Sequence, residues 1–152
     1  MDIICRPIAT VKNSRTKPID DNWGEIISEI ELSNDMPLEV FNNISDFSHL
    51  EIIYYFNQVK NDDIIFLGRP RENPNYPLVG ILGQRKKDRP NKIGLCTVQL
   101  LEHKDRIITV KNLDAIDGTP VIDIKPVFKE FQPIGSIRQP GWVTDLMKNY
   151  WQ

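Results

Sequence analysis

The chain alternates between apolar and polar positions over much of its length. Across residues 25–32, Ile26, Ser28, Ile30 and Leu32 fall on one side, and Glu25, Ile27, Glu29 and Glu31 on the other. A period of two sends successive side chains to opposite faces of a strand, so this segment predicts a half-buried strand with an acidic outer face. Residues 50–56 form an apolar and aromatic run broken only by Glu51, which predicts a strand. Residues 64–67, 78–82, 93–101, 107–113 and 121–124 predict five more strands. Residues 3–11 predict a first strand near an edge, because Pro7 has no N–H to give to a ladder.

The breaks are equally legible. Residues 13–22 are polar, contain Pro18 and predict a loop, and residues 68–77 hold Pro70, Pro74 and Pro77 without any period. Asn34-Asp35 ahead of Met36-Pro37-Leu38 signals a short helix to about residue 43. The tail changes period: Trp142, Val143, Leu146, Met147 and Tyr150 recur at helical spacing. Residues 142–151 therefore predict a short amphipathic helix docked on the body. Many short strands with few helices give a mainly β fold, a barrel or a sandwich. The expectation is one domain over 1–152, with a core over roughly 3–129 and a helical tail over 140–152.

Composition narrows the class. The chain has 152 residues, enough for one well-buried core, and its 40% hydrophobic and 26% charged residues are globular values. No apolar run reaches about 18 residues, so no membrane-spanning helix is expected. Met1-Asp2 opens without a basic, apolar leader, so a cytoplasmic chain is expected. Cys5 and Cys96 suit neither a disulfide framework nor a zinc knuckle, and both are read as buried free thiols.

Two runs carry the candidate chemistry. Arg85 to Lys92 packs five cations and Asp88 into eight residues, stiffened by Pro90 and followed by Gly94. The net charge is only −2, so the run is a positive patch on an acidic body. That pattern suits a specific anionic ligand better than general coating of nucleic acid. Arg85 and Arg89 can each hold a carboxylate or phosphate with two bonds, and Asn91 offers a donor and an acceptor together. The second run, Leu113 to Pro126, sets Asp114, Asp117 and Asp123 with Lys125 around a Gly118-Thr119-Pro120 turn. Asp117-Gly118 fits a tight turn, and Asp123 and Lys125 are neighbours in the exit strand. His49 stands at the mouth of the most apolar strand, either as a structural residue or as a base. With only His49 and His103, no metal site is expected. No phosphate-binding glycine loop, nucleotide-binding fingerprint or metalloprotease motif is present.

These residues in this order resemble the TsaA-like (TrmO-type) family of S-adenosylmethionine-dependent tRNA methyltransferases. The resemblance covers roughly residues 7–129. It rests on Ile8-Ala9-Thr10-Val11, Phe47-Ser48-His49-Leu50, Arg85 with Arg89-Pro90-Asn91 and Ile93-Gly94, and Asp114 with Asp117-Gly118-Thr119-Pro120-Val121-Ile122-Asp123-Ile124-Lys125-Pro126. It implies a single-sheeted β-barrel that acts as a homodimer. It also implies S-adenosylmethionine as cofactor, and tRNA carrying threonylcarbamoyl-adenosine as substrate, methylated on the exocyclic nitrogen. By position it puts cofactor contacts on Asn57, Gln58, Arg85, Leu95, Asn112, Leu113 and Asp114. Arg89, Asn91 and Lys125 are then candidates for substrate, and His49 or Asp117 for the proton acceptor. A barrel that binds S-adenosylmethionine or RNA without chemistry is the alternative.

Three features depart from the longer bacterial members. Residues 18–23 are acidic with Trp23, where those members have a basic loop touching the cofactor. Lys92 stands where they have Pro, and Cys96 where they have Ser or Thr. They also carry a C-terminal extension for substrate, whereas the tail from Gln139 to Trp151 resembles that of the short members.

Overall fold

The alternation closes on itself. The computed structural model describes residues 1–152. Its strands are β1 (Ala9–Lys12), β2 (Ile27–Leu32), β3 (His49–Tyr55), β4 (Leu67–Gly68), β5 (Val79–Gly80), β6 (Ile93–Lys104), β7 (Ile107–Lys111) and β8 (Pro120–Pro126), with one helix, α1 (Gly141–Leu146). Six of them form a closed barrel in the order β1-β2-β7-β6-β3-β8. Every neighbouring pair is antiparallel. Closure gives every barrel strand a partner on each side.

The period of two decides what fills the barrel. Ser28, Ile30 and Leu32 of β2 are buried and Ile27, Glu29 and Glu31 are exposed, as the alternation predicts. Leu50, Ile52 and Tyr54 of β3 meet Cys96 and Val98 of β6, Ile108 and Val110 of β7 and Val121 of β8 in one core cluster. Burying one such aliphatic side chain is worth about 1.5–3 kcal/mol. Asn13 stops the barrel at one end: its Nδ2 donates to Ser28 Oγ at 2.9 Å and to the Ala115 carbonyl at 2.8 Å.

Strand direction defines two rims. The ends of β1, β3 and β7 and the starts of β2, β6 and β8 share the first rim; the opposite strand ends share the second. A register shift between Ile53 and Tyr54 bends β3 against β8 beside the first rim. Such irregularities re-aim side chains at barrel ends. Tyr54 pairs with Gly94 across the β3–β6 ladder.

Several sequence expectations are revised. The first strand begins at Ala9 rather than residue 3, and Cys5 is exposed, not buried. The ladders of β1 end at Ala9, opposite Leu32 and Val121, although β8 runs on to Pro126; Pro7, with no N–H to give, stands just before the point where the chain leaves the sheet. The expected helix to residue 43 is two tight 3₁₀ turns, Leu38–Phe41 and Ile44–Asp46, with Phe41 inserted in the core. In place of the strands expected at 64–67 and 78–82 stand only the two-residue strands Leu67–Gly68 and Val79–Gly80, paired as a small separate sheet. The tail helix is six residues long. Beyond it the chain tightens into turns and runs out along residues 22–23, with Asn22 N–H donating to the Asn149 carbonyl at 3.2 Å and Trp23 N–H to that of Tyr150 at 2.8 Å. Trp142, Val143, Leu146, Met147 and Tyr150 are half-buried, on the face that their spacing predicts.

Gly94 makes room for Tyr54: a Cβ at this position would lie 2.4 Å from Cε2 of the Tyr54 ring. Gly94→Ala is therefore expected to cost about 2 kcal/mol through overpacking, seen as a Tm about 4–8 °C lower. An unchanged Tm would mean that the Tyr54 ring can move aside freely.

Candidate active site at the first rim

β7 leaves the barrel through Asn112, which sits at φ 68°. Leu113 and Ala115 then enter the core, and Asp114 between them is half-buried. The hydroxyl of Tyr54 donates to one oxygen of the Asp114 carboxylate, and the hydroxyl of Tyr150 donates to the other. Tyr54 comes from the barrel wall and Tyr150 from the tail. The Cys96 thiol donates to the Asn112 carbonyl at 3.1 Å. The Arg85 guanidinium donates to the carbonyl of Leu95, one residue from Cys96. Strands β3, β6 and β7, the basic loop and the tail thus converge on one carboxylate.

Electrostatics assigns the protons in this group. Burial, and then the negative charge of Asp114, hold the Tyr54 and Tyr150 phenols well above their ordinary range. The same two causes push the Cys96 thiol up to about 12, with Arg85 pulling the other way. All three groups keep their protons at neutral pH, so Asp114 is the acceptor among them. Cys96 is consequently not a thiolate nucleophile.

The basic loop is ordered largely by its own charges. Asp88 is buried, with Lys87 Nζ at 2.6 Å and Lys86 Nζ at 3.5 Å from its carboxylate. Lys92 is buried at φ 51° and donates to Asn61 Oδ1 at 2.7 Å. Arg89 turns back onto its loop, donating to the Gln84 carbonyl at 3.0 Å. Gln84 ties the loop to the small β4–β5 sheet through the Gly68 and Val79 carbonyls at 2.9 and 2.8 Å. The run that reads as a free positive patch is therefore a folded loop that presents the exposed Arg85 to the rim.

The residues singled out from the sequence fall into two places. Arg85, Leu95, Asn112, Leu113 and Asp114 are together at the first rim. Asn57 and Gln58 follow β3 on that rim, exposed and with free side-chain amides. Asn91 is exposed on the loop that feeds β6. Asp117 is also at the first rim: its Oδ1 accepts from Asn13 N–H at 3.1 Å, and Gly118 turns the chain at φ 79°. His49 and Lys125 are at the second rim, His49 at the start of β3 with Nδ1 2.8 Å from Ser48 Oγ. Lys125 pairs with Asp123 at 3.0 Å. Five residues of strand separate His49 from Tyr54, about 16 Å at about 3.3 Å per residue. Tyr54 and Tyr150 are the members that sequence reasoning missed. The only signal for Tyr150 was its place on the apolar face of the tail.

A carboxylate, a guanidinium and backbone acceptors are thus gathered on one rim of a small antiparallel barrel. Comparison with known proteins makes the class specific. The tRNA-methyltransferase O N-terminal domain matches residues 9–132, and the chain belongs to this family. A probable S-adenosyl-L-methionine-binding protein of Methanothermobacter thermautotrophicus is 31% identical over 139 residues, covering 89% of this chain and 97% of the relative. A similarly described protein of Archaeoglobus fulgidus is 32% identical over 131 residues, but this chain spans only 34% of its length. The tRNA (adenine(37)-N6)-methyltransferase of Escherichia coli is 40% identical over 84 residues, 53% of this chain and 36% of the relative. The crystal structure of TrmO from Pseudomonas aeruginosa shares the fold, with a TM-score of 0.73 at 21% identity, over 91% of this chain and 62% of that one.

The held protons predict an alkaline limit. Unfolded, a thiol loses its proton near about pH 8.5 and a phenol near about pH 10. Folded, Cys96, Tyr54 and Tyr150 keep theirs to higher pH. Their contribution to stability is full below about pH 8.5 and is lost as pH rises through the folded values. Tm should fall above about pH 9, and the fall should be shallower in Tyr150→Phe. Equal slopes in the two proteins would remove Tyr150 from the explanation.

Proposed function

We propose that this protein is an S-adenosylmethionine-dependent methyltransferase that modifies adenosine in tRNA. Membership of the family supports the reaction class. The observation that carries the reading is the grouping of Arg85, Leu95 and Asp114 at one rim. The donor set fits the cofactor. S-adenosylmethionine has a carboxylate, an ammonium, a ribose diol and an adenine edge. Arg85 has five N–H donors, of which one is used on Leu95, so the guanidinium can still bind a carboxylate. Asp114, an acceptor with spare lone pairs, suits the diol or the ammonium. Asn57, Gln58 and the backbone at Leu95, Asn112 and Leu113 suit the adenine edge. When bound, the cofactor supplies an activated methyl group on a sulfonium. The residues of the chain hold it, align the attacking nitrogen and accept its proton.

The finer reading is methylation of the exocyclic nitrogen of threonylcarbamoyl-adenosine, in the cytoplasm. Arg89 and Asn91 on the basic loop are assigned to substrate. Lys125 joins them only in an RNA footprint that reaches the second rim. Of the two candidate proton acceptors, Asp117 is favoured because it shares a rim with Asp114, while His49 stands at the other end of β3. His49→Ala is then expected to retain its transfer rate. Asp117→Asn at unchanged Tm is expected to lose about 100-fold. The reverse result would give the role to His49.

Calorimetric titration of S-adenosylmethionine is the direct test. Micromolar binding in the parent, weakened at least about 100-fold in Arg85→Ala, is expected, because a charge-assisted bidentate contact is lost. Transfer of labelled methyl to a tRNA pool lacking the modification must accompany it. Binding without transfer to any RNA would leave a non-catalytic S-adenosylmethionine-binding barrel as the reading.

The working unit is proposed to be a homodimer. Phe131, Ile134 and Ile137, between the barrel and the tail, are 84%, 99% and 76% exposed, and a second copy would cover them. Light scattering is expected to return about twice the chain mass of 17.6 kDa. A monomer that binds the cofactor fully would defeat the dimer.

A further inference from the structure

The tail reaches the first rim by a defined path. Tyr76 donates from its hydroxyl to Asp145 at 2.6 Å, and its ring lies 6.2 Å from that of Trp142. The chain then follows residues 22–23 through the two backbone bonds from Asn22 and Trp23. That receiving segment is itself fixed. The Arg15 guanidinium sits 4.3 Å over the Trp23 ring and donates to the carbonyls of Asp21 at 3.1 Å and Asn22 at 2.6 Å. Arg71 grips the Asp21 carboxylate with two bonds, the shorter 2.7 Å. Gly24 lets the tail lie flat, since a Cβ there would fall 2.0 Å from the Trp151 carbonyl oxygen. At the end of this path the Tyr150 hydroxyl meets Asp114.

We propose that the tail forms a wall of the cofactor site, and that Tyr150 is a positioning residue holding the Asp114 carboxylate in its ligand-binding orientation. The proposal rests on the reading of Asp114 as a cofactor contact. A carboxylate has about four acceptor positions, and the two tyrosines use one on each oxygen. The remaining positions stay available, so the tail orients Asp114 without blocking it. Tyr54 alone would leave the carboxylate free to turn about one hydrogen bond. With both phenols engaged, its plane is fixed between barrel wall and tail, and a ligand donor meets an acceptor that needs no reorganisation.

The test is a binding cycle by calorimetry with S-adenosylmethionine, on the full chain. Tyr150→Phe should weaken binding about tenfold, the loss of one charge-assisted hydrogen bond at a contact residue. Added to Asp114→Asn it should cost little more, because it acts through that residue. Gly24→Ala, which touches no site residue and does not sit at positive φ, should weaken binding similarly by lifting the tail. Parent-like or tighter binding in Tyr150→Phe, or a loss that adds in full to that of Asp114→Asn, would overturn the proposal. Tighter binding would make the tail an obstruction instead. A parent that does not bind, or an Asp114→Asn variant that binds like the parent, would fail at the cofactor reading itself, and the parent and Asp114→Asn titrations report that separately.

Discussion

A half-buried carboxylate at the end of a barrel has to be satisfied, and much of this structure follows from how that is done. Leaving Asp114 without donors would carry a desolvation penalty of several kcal/mol. The two donors come from places far apart in sequence, a barrel strand and the tail. Each has its own structural requirement. Tyr54 needs the empty space opposite it at Gly94, and Tyr150 needs the flat approach past Gly24. One acid thereby couples the inner wall of the barrel to the segment that wraps it.

The same acid organises charge around it. Burial first, and then its field, keep protons on Tyr54, Tyr150 and Cys96, and Arg85 is the cation that opposes it at Tyr150 and Cys96. The basic loop, by contrast, folds on itself around Asp88, which meets Lys86 and Lys87. What it brings to the rim is one exposed guanidinium, on the same rim as the Asp114 carboxylate. Under the proposed function, these two charges are the parts that a zwitterionic amino-acid nucleoside would engage.

Period-two alternation made β2 legible, because its inward Ile30 and Leu32 contrast with its outward Glu29 and Glu31, whereas β3 was legible from its apolar and aromatic content. The pattern failed before Ala9, where Pro7 cannot donate to a ladder and the chain leaves the sheet although β8 runs on beside it. Segments 64–67 and 78–82 are apolar enough for strands, yet β4 and β5 are only two residues each. Arg85 and Asp114 were singled out from motifs, which did not show that they share a rim. The tyrosines were not, because an aromatic residue in an apolar run looks the same whether its hydroxyl is idle or bonded. Nor could spacing along the chain reveal that His49 and Asp117 lie at opposite rims, since that depends on strand direction in the closed sheet.

Barrel closure pairs Ala9 with Val121, residues more than a hundred apart in the chain. Loop-closure entropy makes such pairing a late and slow event in folding. Until β8 has docked, β1 and β8 are both open edges, each with unpaired backbone groups next to apolar faces. An incompletely folded chain can satisfy those edges on another molecule as readily as on itself. The seam between β1 and β8 is thus where a race between folding and aggregation would be decided.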